Sequence, residues 1–256
     1  MAKSRKTTKQ AIETELIALA RSVFGDKLVS LTLYGSYLKE TFAPGVSDVN
    51  VLVIVGENSE EALRALGARG SRLMRRKRIT PLVLSRREFV TSADVFPMEY
   101  LDIVETHQVL MGPDVTSELE IDRANLRHQI EHQLRGNLVS LRQLAVVAGR
   151  PRLFKKILLR RELQQWYGRL AAILRGLLRF HGVTEIPSAP EDLVKEINKA
   201  FGFESGPIVQ LLACRDGRRR KECPDSLVLI DALLARLTEL VEIVDGLLGP
   251  TGGNST

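Results

Sequence analysis

The residues of this chain best suited to chemistry lie between positions 35 and 50. Gly35 and Ser36 follow the run Leu31-Thr32-Leu33-Tyr34, and Asp48 and Asn50 open the run Val51-Leu52-Val53-Ile54-Val55. A triphosphate needs close approach of the backbone, which Gly35 permits because it has no Cβ. Ser36 offers a hydroxyl and a backbone N–H to a phosphate oxygen. A helical turn over 36–41 would aim further N–H groups at the anion. Asp48 and Asn50 stand two apart on a strand, so their side chains share one face. Hard oxygen donors placed in this way suit Mg2+ or Mn2+, shared between carboxylates and substrate phosphates. Lys39 could neutralise charge that develops on a phosphate.

These residues carry a resemblance. The segment Gly35-Ser36-Tyr37-Leu38-Lys39, followed by Ser47-Asp48-Val49-Asn50-Val51-Leu52-Val53, resembles the signature of the DNA polymerase β-like nucleotidyltransferase superfamily. It is most similar to the small bacterial branch that includes the aminoglycoside adenylyltransferases. The resemblance implies a mixed α/β sheet with flanking helices, followed by an all-α helical bundle. It also implies transfer of a nucleoside monophosphate from a nucleoside triphosphate, ATP first among them, to an unidentified hydroxyl acceptor with Mg2+ or Mn2+. Gly35, Ser36 and Lys39 match the nucleotide-binding positions. Asp48 matches the first metal-binding and catalytic acid.

The chain departs from that pattern at two places. Asn50 stands where the family has its second acid, so it can offer an amide oxygen but no charge. Removing one charge about 4 Å from an ion is worth on the order of 4 kcal/mol at an effective dielectric near 20. The family's third carboxylate belongs on a later strand, and Ile79-Thr80-Pro81-Leu82-Val83-Leu84 contains none. Glu99 and Asp102 are the nearest substitutes and would share one face of a helix. The same gap motivates an alternative: a degenerate relative that binds nucleotide without transferring it, as a sensor or partner subunit.

Other constellations are weaker. His128, Glu131 and His132 spell an inverted zinc-protease motif on a helix, but their expected role is an exposed polar face. His107 and His181 are single. Cys214 and Cys223 form no zinc spacing and are expected to be reduced. Net charge is +6, with basic runs at Arg75, Arg76, Lys77, Arg78 and at Arg218, Arg219, Arg220, Lys221. Such runs allow a third reading as a nucleic-acid scaffold. The aromatic share of 5% offers few stacking platforms for single strands.

The elements that must position the chemistry are legible from periodicity. A helix over 8–24 carries Ile12, Leu16, Ala20 and Phe24 on one face. The stretch 28–34 alternates and predicts a half-buried strand, whereas 49–55 is continuous and predicts a central one. Ser59 opens a helix reaching toward Lys77, and 79–84 is a third strand candidate in which Pro81 argues for an edge or a bend. Ser85 caps a short helix with Glu88 and Phe89. A helix over 96–105 and a strand over 108–111 complete an α/β domain at 1–115. A helical bundle follows at 116–248, then a flexible tail at 249–256.

Three apolar stripes support the bundle. They are Ile130 to Ala145, Leu159 to Phe180, and Leu227 to Leu248. Trp166 and Tyr167 are expected in its core, and a shorter helix begins near Pro190. No apolar run reaches the roughly 20 residues of a membrane span, and no signal peptide is evident, so a cytoplasmic setting without membrane partners is expected.

Overall fold

Two runs of β-branched and leucine side chains make the centre of a sheet. The computed structural model describes residues 2–39, 48–149, 155–215 and 224–247. Strand β1 (Leu28–Tyr34) runs antiparallel to β2 (Val49–Val55), and β2 runs parallel to β3 (Ile79–Ser85). Strand β4 (His107–Met111) pairs antiparallel with the other side of β1, giving the order β3-β2-β1-β4. Helix α1 (Ala2–Phe24) precedes the sheet, and α2 (Glu60–Lys77) carries the chain from β2 to parallel β3. Ser59 caps α2 by accepting the Ala62 N–H. The acids of its first turn and bases of its last turn follow the helix dipole.

Each face of the sheet has its own core. Leu31, Leu33, Val49, Val51, Val53 and Val55 pack with Ile12, Leu16, Ala20 and Phe24 of α1 and Leu66 of α2. Leu52 and Ile54 face the other way. They pack with Phe89 of α3 (Arg86–Thr91) and with Tyr100 and Ile103 of α4 (Pro97–Glu105). This second cover corrects the expectation for β1. Its polar side is buried: Ser30 donates to the Pro113 carbonyl at 2.8 Å, and its hydroxyl lies 3.4 Å from that of Thr32. A register shift between Leu28 and Ser30 also turns Val29 toward the α3–α4 side. Alternation marked the two faces, but it could not show that both would be covered.

The residues fall into two compact units, Met1–Asp122 and Arg123–Thr256. The second contains α5 (Arg123–Ala148), α6 (Lys155–Phe180), α7 (Pro190–Phe201), α8 (Gly206–Arg215) and α9 (Ser226–Leu247). Trp166 and Tyr167 are buried, and the Trp166 indole donates to the Asn137 carbonyl at 3.1 Å. The third stripe sits differently from its expected line. Leu227 is exposed, and Leu229, Leu233 and Leu240 join Ile230, Leu237, Val241 and Val244 in the core. Helix α8 was not anticipated, because its span is short and opens on Gly206-Pro207. Cys214, buried in α8, is disulfide-bonded rather than reduced. A count of two cysteines carries no sign of the close approach that a bridge requires. Cys223, residues 218–221, the Leu248 position and the 249–256 tail lie outside the described residues, as does the Leu159 side chain. Among the described residues, no helix is long and apolar enough to cross a membrane.

Candidate functional site

Pairing across the sheet sets four residues in one row: His107 on β4, Tyr34 on β1, Asn50 on β2 and Thr80 on β3. Asn50 lies two residues before Leu52, and Thr80 lies four before Leu84. Both therefore belong to the face covered further along by α3 and α4. Asp48 shares that face where β1 ends and β2 and β3 begin. Here the cover is incomplete: Ser36, Asp48 and Thr80 are exposed, and Asn50 is half-buried.

Gly35 leaves β1 with φ +77, a conformation that L side chains rarely adopt. A Cβ at this position would come within 3.3 Å of the Asn50 amide nitrogen. The Gly-Ser turn and the strand of Asp48 and Asn50 are thus in direct contact. The Gly35 N–H donates to the Thr106 carbonyl at 2.9 Å, tying the turn to the segment after α4. Residues Gly35–Leu38 form a single 3-10 turn, shorter than the helical turn expected over 36–41. Residues 40–47, including Ser47, lie outside the described set.

Tyr37 anchors the turn from below. It is fully buried, and Lys9 of α1 donates to its carbonyl at 2.8 Å while lying 4.8 Å from its ring centroid. Burial, followed by the charge of Glu13, pushes its phenol up to about 12. Lys39 is half-buried, and its backbone N–H donates to the Ser36 carbonyl at 3.1 Å.

The central electrostatic feature was not anticipated. Arg78 donates from Nε to Asp48 at 2.8 Å, with both side chains about half exposed. Arg78 ends α2 in the left-handed region with φ 54, and among the described residues it is the non-glycine with positive φ. Its N–H donates to Met74, and its carbonyl accepts the Val49 N–H at 2.9 Å. A left-handed non-glycine costs roughly 1–2 kcal/mol, whereas a half-exposed ion pair contributes about 0–1 kcal/mol. Fold stability alone does not favour arginine over glycine at this cap. The juxtaposition follows from the parallel pairing of β2 with β3. Asp48 immediately precedes β2 as Arg78 precedes β3, and two parallel strands in step set those positions side by side.

The candidate substitute acids divide. Glu99 is exposed on α4. Asp102 is half-buried, and its charge helps burial, the larger cause, to raise the Tyr34 phenol above its ordinary value. An acid therefore acts on the same row that holds Asn50. His107 is occupied structurally: Nδ1 lies 3.0 Å from the Val104 carbonyl and Nε2 lies 3.1 Å from Asp114. The Thr116 hydroxyl and backbone, with His107, hold Asp114 below its usual carboxylate range.

The donor set does not fit a divalent metal. Of the three positions in question, only Asp48 carries a charge, and an arginine already engages it. Asn50 and Thr80 fill the adjoining places. Among the described residues, no group of three His, Cys, Asp or Glu side chains could hold a metal ion. His128 and His132 are both exposed, and Glu131 accepts from Arg135 at 3.2 Å. The first basic run is divided, with Arg76 pairing with Glu15 and Arg78 with Asp48.

No family model matches the chain, and no curated protein matches it. Among solved structures, it is similar to spectinomycin adenyltransferase AAD(9) from Enterococcus faecialis, crystallised with ATP and spectinomycin. The identity is 11% and the TM-score 0.43, with 90% of this chain and 99% of that chain covered.

Proposed function

We propose that this protein is a nucleotidyltransferase-fold binder of a nucleoside triphosphate, ATP first among the candidates, that does not perform the transfer step. The observation carrying this reading is the cross-strand pair Asn50 and Thr80, with Asp48 two residues before Asn50 and engaged by Arg78. The expected reaction needs Mg2+ or Mn2+ to draw an acceptor hydroxyl toward the α-phosphate and to stabilise departing pyrophosphate. One engaged carboxylate is a poor holder for such ions. Phosphate recognition has more support: the Cβ-free turn at Gly35, the exposed Ser36, and the cations Lys39 and Arg78.

Calorimetry with ATP, alongside a pyrophosphate-release assay containing Mg2+ or Mn2+, tests the reading. Saturable ATP binding is expected, with release at the blank rate for every acceptor offered. Metal-dependent release that disappears in Asp48→Asn would overturn it. A second reading, an active transferase, is favoured by the influence of Asp102 on Tyr34. It requires pyrophosphate release that Asp102→Asn abolishes.

A further inference from the structure

We infer that Arg78 takes the place of the divalent cation, so that nucleotide phosphate binds at this site without metal. The inference rests on the nucleotide-binding reading above and specifies its chemistry. Arg78 meets Asp48 through Nε. This side-on contact through Nε leaves the end of the guanidinium, with its two Nη groups, as a planar fork matched to two phosphate oxygens. Backbone bonds to Met74 and Val49 fix the residue between the end of α2 and the start of β2. Its left-handed backbone would suit glycine better, and its exposed ion pair is too weak to offset that preference. The fixed cation gives the site a reason to hold arginine there. A divalent ion bound by Asp48 would stand within a few ångströms of the guanidinium. Repulsion at that separation would weaken its binding.

The test uses the full chain and ATP, titrated calorimetrically in Mg2+ buffer and in EDTA. The expected Kd differs between the buffers by less than about threefold, far short of the roughly three decades that one lost charge near 4 Å would give. Arg78→Gly relieves the backbone and keeps the fold, so its melting temperature should not fall, while ATP affinity drops by about tenfold or more. Arg78→Lys keeps the charge but loses the fork, and should also weaken binding. Binding that requires Mg2+, or that Arg78→Gly leaves unchanged, overturns the inference and leaves nucleotide binding standing. ATP binding in neither buffer overturns both.

Discussion

Asparagine differs from aspartate by little volume and a full charge, and at position 50 that charge decides what the row can hold. Two substitutions should reverse the balance. Asn50→Asp combined with Arg78→Ala leaves two carboxylates on one face and removes the arginine that engages Asp48. Mn2+ titration followed by electron paramagnetic resonance should then show saturable binding that the native protein lacks. If the double variant binds no more Mn2+ than the native chain, the metal argument fails. At Gly35 the backbone governs. Gly35→Ala combines the cost of a left-handed alanine, roughly 1–2 kcal/mol, with a push against the Asn50 amide at 3.3 Å. A fall of several degrees in melting temperature is expected, together with weaker ATP binding. A melting temperature equal to that of the native chain would show that the turn relaxes freely. The sequence made Gly35, Asp48 and Asn50 legible because their types and spacing are local. Arg78 and Thr80 acquire their meaning from the register of β2 with β3, which spacing alone does not reveal.

Elements were legible where a local signal marked them. Ser85 and Glu88 announce α3, and the structure shows a complete capping box between them. Phe89 of that helix lies 5.0 Å from Tyr100 across the second core. Ser85→Ala should therefore cost about 1 kcal/mol, read as a lower denaturation midpoint with an unchanged slope. No change would mean that Phe89 packing alone holds the helix. Strand β1 shows where such reading ends. Its period-two pattern is correct from Ser30 onward, yet Ser30 and Thr32 are as buried as Leu31 and Leu33. Burial of that side depends on α3, α4 and the Pro113 carbonyl, all distant in sequence.

At the scale of the molecule, an α/β unit followed by a helical unit agrees with the order expected from the alternation of periods, and the mixed sheet with flanking helices agrees with what the resemblance implied. Each unit has buried apolar residues of its own. A fragment of residues 1–122 should thus melt cooperatively by circular dichroism, and a non-cooperative melt would show that the sheet needs the remainder of the chain. Alkaline stability should report Tyr37. Its proton leaves near 12 in the folded state, against 10.0 ordinarily, so the folded chain holds more protons between those values. Stability is fully present below pH 10 and falls by roughly 2–3 kcal/mol toward pH 12. Urea titrations across that window should show the loss, and Tyr37→Phe should reduce it, leaving the smaller share of Tyr34 and Tyr100, whose phenols burial also raises; an equal slope in both proteins would sink the assignment.

The outer position of β3 has a different consequence. A sheet ending in an unpaired strand presents a rim onto which copies of a chain can stack. Pro81, midway along β3 and level with Val51, has no N–H to offer such a visitor. The missing donor interrupts the ladder that a second copy would need, so Pro81 opposes stacking along this side.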